Sequence, residues 1–498
     1  MRNMNFVSQL EESLRDLGSQ ARSEGRASAN SSAFRAGGYL PILKEASERG
    51  LLTLRKLQGN YAAQVRKAAE GGYCSSDQPT TRIFCNQDLL RPFLFACNFS
   101  EAPENLVEIS INAIQLLLSA EAVFLCDAVQ IVRILTIQSS NVSLGEKIRL
   151  HMLQICTVVI NYTLMAELGS FENEQDKVPD ALIEEKGNID GLNEELFTQA
   201  CVLCLKLAQS SMRRKATSQM GSMWTAASST LSGATVGSQE QKAKGIRAST
   251  SMKTIRRASN ATLRQLVSMI FDKVCSVVNT DREGISTRQQ KRLEVEITVA
   301  SKLFMDLCML AEAKCGGDDG VIKGSGPLSK AIQQTNLVPL PRSMSLELLD
   351  GILSQNKALF SSACSISETS FPILLRSIAC PIVTTILLSD CYSSVDITDD
   401  LGDNRIDEEP SSNDKDEEFS KSQQRIESNG EKVGIEAFSL LIRSVHIAKT
   451  IILTYGHYAD FGGECHILLS SLLRFLTRLS EVYRGFTNFE VRYMKQLK

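Results

Sequence analysis

Aromatic residues are scarce in this chain: 6 % of 498 residues, with Trp224 the single tryptophan. Few ring surfaces are therefore on offer for stacking unpaired bases. The net charge of −3 supplies no concentrated basic surface for a phosphate backbone either. No nucleic-acid partner is expected. Histidine is scarcer still, with four residues, His151, His446, His457 and His466, which leaves little support for histidine-based acid–base or nucleophilic chemistry. Long uncharged apolar runs are missing too. The nearest approach to the ~18 residues of a membrane span is Phe371 to Leu388, interrupted by Arg376 and Pro381. The stretch Met1–Asp16 has no apolar core of a signal sequence and carries Arg2, Glu11, Glu12 and Arg15. A cytosolic chain is expected, with any membrane attachment peripheral.

Cysteine is present, with 14 residues, but scattered. Cys126, Cys156, Cys201, Cys204, Cys275 and Cys308 sit inside apolar runs, as reduced, buried cysteine does when it acts as a small hydrophobe. A disulfide framework belongs to small secreted domains.

What the chain does have is helical periodicity. Ile148, Met152, Ile155, Val159 and Tyr162 share one face at 3.6 residues per turn. So do Leu263, Leu266, Val267, Ile270, Val274 and Val277; Leu196, Ala200, Leu203 and Leu207; and Leu468, Leu472, Phe475, Leu479 and Val482. Further helices are expected over Phe6–Leu17, Pro41–Ala69, Leu89–Cys97, Pro103–Ser119, Glu121–Ile137, Arg292–Ala313, Ser345–Phe360 and Phe438–Tyr455. No series of period-2 strands with hairpin turns is found. The expected fold is all-α: an α-solenoid of armadillo or HEAT type, in which each stripe is buried only by its neighbours. No exact repeat at the ~40–47-residue period of those families is visible.

Five segments break the pattern: Glu24–Gly38, Gly71–Gln87, Phe171–Gly191, the basic insert Ser211–Ser259 and the acidic insert Cys391–Glu431. Each has too few large apolar residues to offset its ordering entropy, so disordered loops are expected. Gly316–Arg342, with Pro327, Pro339 and Pro341, reads as the linker between two helical blocks.

Candidate chemistry is thin. Cys201 and Cys204 form a lone CxxC in an apolar helix and read as core residues, since no second ligand pair stands at zinc spacing. His457 and His466 flank Gly462, Gly463, Glu464 and Cys465 in no established ligand pattern. Gly316, Gly317, Gly320, Gly324 and Gly326 lack the lysine and the preceding strand of a phosphate loop. Asp318 and Asp319 lack the alternating ligands of a calcium loop. No metal and no cofactor is expected. In the basic insert, Arg213, Arg214, Lys215, Lys242, Lys244, Arg247, Lys253, Arg256 and Arg257 face only Glu240. A solvated loop is the plain reading; attraction to anionic lipid, at roughly 1 kcal/mol per nearby cation, is the functional one. Thr217 and Ser259 each follow a basic cluster and resemble substrates of basic-directed kinases.

The stretch Pro41-Ile-Leu-Lys-Glu-Ala-Ser-Glu-Arg-Gly50, running on to Leu54 and Arg55, resembles the start of the dimerisation and cyclophilin-binding (DCB) domain. That domain opens the large Golgi Arf exchange factors of the Sec-seven/BIG family and their relative Mon-two, and the form Lys44-Glu45-Ala46 with Glu48 and Gly50 is closest to Mon-two. Leu90–Leu94 with Ala96-Cys97, Ala113–Gln115 with Leu117, and Leu263–Val267 with Ile270-Phe271 are similar to later DCB helices. Leu346–Leu349, Cys380-Pro381, Leu440–Arg443 and Leu472–Phe475 resemble the homology-upstream (HUS) domain, although its N-Y-D-C box is absent and no exchange domain is present.

The resemblance implies a DCB-like domain over 1–315, a linker over 316–343 and a partial HUS-like domain over 344–498. The chain is expected to be either a truncated product or the N-terminal part of a longer protein. It implies a non-enzymatic scaffold on Golgi and endosomal membranes that serves vesicle-mediated protein transport. Its partners would be a second copy, trafficking proteins and Arf-like GTPases. The other functional reading is a regulator that binds an Arf-type GTPase or its exchange factor. Lys44, Glu45, Glu48 and Arg55 are the candidate protein-contact residues.

Overall fold

The computed structural model describes residues 2–29, 39–71, 84–169, 194–209, 238–278, 287–312, 324–335, 338–360, 371–388, 439–458 and 461–478. Every regular element among them is helical. In chain order these are α1 (Arg2–Ala29), α2 (Tyr39–Gly71), α3 (Gln87–Cys97), α4 (Glu104–Ser119), α5 (Ala128–Gln138), α6 (Glu146–Gly169), α7 (194–209), α8 (Ser238–Val278), α9 (Thr287–Glu312), α10 (Pro327–Thr335), α11 (Arg342–Gln355), α12 (Phe371–Leu388), α13 (439–455) and α14 (462–478). The fold is all-α, as the period-3.6 stripes require. Two compact units are formed: Met1–Met269 with Lys330–Val338, and Ile270–Ser329 with Pro339–Lys498.

In the first unit α1 packs on α2 and α4, α2 on α3, α3 on α4 and α5, and α6 on α4 and α5. The stripe Phe6, Val7, Leu10, Leu14 and Leu17 of α1 is buried, and each such side chain contributes about 1.5–3 kcal/mol. Two glycines set the spacing. A Cβ on Gly18 would lie 2.7 Å from Ser47 Oγ, so α1 and α2 approach closely there. A Cβ on Gly50 would meet Leu14 at 3.1 Å, the Asp88 carbonyl at 3.3 Å and Pro92 at 3.4 Å, where α1, α2 and α3 converge. Pro92 has no N–H to return to that Asp88 carbonyl, and α3 is held at its start instead by Asn86, whose Oδ1 accepts from Asp88 N at 2.8 Å. Tyr39 fastens the other end of the α2–α3 pair: its hydroxyl donates to the Ala96 carbonyl at 2.6 Å, and its ring stacks on Phe95 and Phe99.

The loops between α3 and α4 and between α5 and α6 are tied from inside. Gln138 Nε2 donates to the carbonyls of Cys97 (2.7 Å) and Phe99 (2.6 Å), and Asn141 Nδ2 donates to that of Ala102 at 3.1 Å. The buried guanidinium of Arg149 donates to the carbonyls of Leu144 (3.1 Å) and Asn141 (2.7 Å).

In the second unit an aromatic chain runs through the core: Phe304–Phe360 and Phe360–Phe371 with centroids 5.4 Å apart, then Phe360–Tyr455 and Tyr455–Phe461 at 6.0 Å. Edge-to-face and tilted rings at this spacing add about 0.5–1.5 kcal/mol per pair beyond burial. Helix α12 contains one π turn, Leu375–Ala379, where the Cys380 N–H reaches back to the Leu375 carbonyl just ahead of Pro381. That wide turn sits where the proline removes a donor from the ladder. Glu146–Met165 and Phe371–Leu388 are long and apolar enough to cross a membrane by composition, but each is half buried within its unit. They are core helices here, and the first carries buried Arg149.

The structure departs from the periodicity in several places. The helix expected over Glu121–Ile137 begins only at Ala128. Helix α4 stops at Ser119, Glu121 adopts φ 55, and a 3-10 turn covers Leu125–Asp127. Cys126 in that turn is exposed, not buried. Helix α11 ends at Gln355, capped by Asn356, with a 3-10 turn over Lys357–Phe360. Helix α1 continues to Ala29, and α8 begins at Ser238, inside the stretch expected to be disordered. The expected linker holds α10, whose Leu328, Ala331 and Ile332 are buried. Phe171–Gly191, residues 211–237 and the acidic insert lie outside the described residues.

Gly50→Val should lower stability by about 1–3 kcal/mol through overpacking between α1, α2 and α3. Gly59→Val, with nothing within 4 Å, should stay within about 0.5 kcal/mol of the parent in the same chemical denaturation series.

Candidate protein-interaction surface

Helix α2 presents one face to α1 and α3 and the other to solvent. Its inward residues are Leu40, Leu43, Ser47, Gly50 and Leu54; its outward residues include Ile42, Glu45, Arg49, Leu52 and Lys56. Ile42 and Leu52 are 52 % and 67 % exposed, large apolar side chains on a helix that already has a filled inner face.

All four sequence-nominated contact residues sit on this helix, and each takes part in one of three separate groups of ion pairs. Glu48 Oε1 lies 3.3 Å from Arg22 of α1 and 3.8 Å from Lys44. Glu45 pairs with Arg49 at 3.0 Å, and Arg55 pairs with Glu11 of α1 at 3.1 Å, beside Arg15 at 2.6 Å. Glu45, Glu48 and Arg55 are exposed and Lys44 is half-buried. Exposed pairs of this kind contribute about 0–1 kcal/mol each, and only Arg22–Glu48 and Arg55–Glu11 cross from α1 to α2. Ile42 and Leu52 escaped the sequence reading because they share a helix with the core leucines, and composition does not tell an outward leucine from an inward one.

The remaining candidates resolve as structure. Cys201 and Cys204 are fully buried in α7, and burial pushes the Cys204 thiol well up. The Cys97, Cys156 and Cys380 thiols are pushed up to about 12 by burial, which keeps them neutral. His446 pairs with Asp350 at 2.8 Å, His457 stacks on Tyr458, and His466 is exposed. Among the described residues no three His, Cys, Asp or Glu gather as metal ligands. Ser259 is buried at 1 % exposure, and its hydroxyl donates to the Ile255 carbonyl at 2.9 Å, out of reach of a kinase in this fold. Thr217 lies outside the described residues.

The glycine-rich stretch holds an anion, but the protein's own. Buried Asp306 of α9 accepts from the amides of Gly326 (3.2 Å), Leu328 (3.0 Å) and Ser329 (2.9 Å) and from the Ser329 hydroxyl (2.6 Å). Burial pushes this carboxyl up, and the four hydrogen bonds pull it part of the way back. A Cβ on Gly324 or Gly326 would fall 2.6 Å from Asp306 atoms, which explains both glycines. The carboxylate occupies the N-terminus of α10, as an anion does at a helix start.

The described residues form an all-α, solenoid-like fold in which α2 leaves a face of apolar and charged side chains exposed. Residues 36–166, from α2 to α6, match the family model of the Mon2/Sec7/BIG1-like DCB domain, the dimerisation and cyclophilin-binding domain. Over this segment the chain is similar to the N-terminal region of Mon2/Sec7-like proteins, and the DCB domain it matches is a non-catalytic binding domain. The match contains Lys44–Arg55, Leu90–Cys97 and Ala113–Leu117; Leu263–Phe271 and the HUS-like stretches lie beyond it. Comparison with curated proteins and with solved structures returns no match.

Asp306→Ala should cost on the order of 3 kcal/mol, because it strands three buried amides. Asp306→Asn should cost less, since one amide oxygen still accepts. Hydrogen exchange at Leu328 and Ser329 reads both, and unchanged exchange in Asp306→Ala would contradict the anchoring role.

Proposed function

We propose that the chain is a non-catalytic scaffold of Golgi–endosome vesicle-mediated protein transport, acting peripherally on those membranes and self-associating through its DCB region. The observation that carries this reading is the DCB match over residues 36–166, a domain whose description is dimerisation and cyclophilin binding. Supporting it, α2 inside the matched segment exposes Ile42 and Leu52 within a rim of paired charges, the arrangement of an apolar anchor and polar edge that interfaces use. The HUS assignment of residues 344–498 belongs to the same proposal. So does partnership with trafficking proteins and Arf-type GTPases, which nucleotide-release assays separate from pure scaffolding.

Sedimentation velocity on the full chain should show a concentration-dependent dimer that Leu52→Asp weakens at least roughly tenfold, the effect of losing one buried interface anchor. A monomer at tens of micromolar, or a dimer indifferent to both Leu52→Asp and Ile42→Asp, would sink the self-association claim.

Peripheral membrane contact is assigned to α8, where Lys253, Arg256 and Arg257 are exposed and follow the Lys242, Lys244 and Arg247 of the same helix. Flotation with vesicles rich in phosphatidylserine should bind the full chain. Reversal of Lys253, Arg256 and Arg257 to Glu should release it, each cation being worth about 1 kcal/mol near such a surface. Flotation unaffected by the triple reversal removes α8 as the attachment site.

A further inference from the structure

Helix α8 carries hydroxyl groups in the middle of its cationic face. Successive helical residues turn by about 100°, which sets Thr250, Lys253, Thr254 and Arg257 within an arc of about 100°. All four are exposed. Ile255, Ser259, Leu263 and Leu266 lie on the opposite side of the helix and are buried. Both threonines therefore stand among cations, directed away from the core. The Thr254 hydroxyl is turned onto the helix itself, donating to the Thr250 carbonyl at 3.2 Å.

Thr250 shares the basic approach of Ser259 without its burial. Arg247 stands three residues before it, with Lys242 and Lys244 further upstream, the charge pattern that an acidic kinase cleft reads. A kinase takes its substrate extended, so the helix must open locally. Among the described side chains of α8 none ahead of Ile255 is buried, and Ser249, Thr250 and Ser251 are weaker helix formers than alanine. Opening this end of α8 uncovers no core. Opening it around Ser259 would pull Ile255 and Leu263 out of theirs.

We infer that Thr250 is a phosphorylation site for a basic-directed protein kinase, and that its phosphate releases α8 from anionic membranes. The release rests on the membrane attachment proposed above for α8. In the transfer, Thr250 Oγ1 attacks the γ-phosphorus of ATP. The new O–P bond forms as the bond to the ADP oxygen breaks, ADP leaves with that electron pair, and the hydroxyl proton passes to the kinase's catalytic carboxylate. The phosphate brings about −1.5 to −2 charges. It stands one turn from Lys253 and two turns from Arg257 on the same face, so it offsets the cations that would meet lipid.

Treatment of the full chain with Mg-ATP and the catalytic subunit of cyclic-AMP-dependent protein kinase tests this, read by tandem mass spectrometry and then by flotation with phosphatidylserine-rich vesicles. Thr250 should carry phosphate and Ser259 none. The phosphorylated chain should bind the vesicles at least roughly tenfold more weakly, and Thr250→Glu roughly fivefold more weakly, than the untreated parent. Kinase-treated Thr250→Ala should float like the untreated parent. A folded chain that takes no phosphate at Thr250 overturns the site. Phosphate at Thr250 with flotation unchanged, or release that persists in Thr250→Ala, overturns the switch and leaves the attachment of α8 standing. An untreated chain that does not float overturns the attachment and the switch together.

Discussion

Everything in this structure depends on leucine-rich stripes that can leave water only by lying against another helix. Leu10, Leu14 and Leu17 on α1, or Leu303, Leu307 and Leu310 on α9, have no sheet to cover them and no disulfide or metal to substitute for burial among the described residues. A single short helix is marginal in water, so stability arises from stacking rather than from helix propensity. Stacking in turn demands close approach. Gly18 and Gly50 occur where one methyl group more would separate α1, α2 and α3. The family-like stretch ending in Gly50 therefore has a packing reason for its last residue, independent of any partner.

Helical stacks leave loop carbonyls and helix-start amides to be satisfied at their turns, and here buried polar side chains do this. Gln138, Asn141 and Arg149 direct five donor contacts at loop carbonyls, and Asp306 gathers four donors at the start of α10. Unpaired, such buried groups would cost about 1–3 kcal/mol each. These residues fix the angle at which one helix hands over to the next. Leucine burial, being non-directional, cannot do so.

The helical class was legible because the stripes repeat at 3.6 residues over long stretches. What escaped was local. The turn at Glu121 was hidden because Glu121 through Ile137 keeps a helix-compatible apolar pattern, while a left-handed backbone at a non-glycine residue gives no compositional signal. Helix α10 was hidden among prolines and glycines, since only the distant Asp306 explains why Gly324, Gly326 and Pro327 belong to a helix start. The first turns of α8 are rich in Ser, Thr and Ala and read as a loop. Ser259 looked like a kinase substrate because a basic cluster precedes it; that it faces inward becomes visible only once Ile255 and Leu263 define the buried side of α8. On the candidate surface the charged residues were found and the apolar ones missed, for the opposite reason: charge signals exposure by itself and leucine does not.

The ion pairs on α1 and α2 differ in depth from the buried charges. Arg22, Lys44, Glu45, Glu48, Arg49 and Arg55 are paired but largely in water, so exchanging one intramolecular partner for a charge on another protein changes stability little. Buried Arg149 and Asp306 have no such freedom, because desolvation makes any loss of their partners expensive. Charge in this molecule is thus divided by depth. The buried groups set geometry and are intolerant of change. The exposed pairs near Ile42 and Leu52 can re-pair, so a partner of the kind proposed would cover those side chains without breaking anything the fold needs. Binding on such a surface would draw specificity from the charge pattern and affinity from two or three apolar side chains.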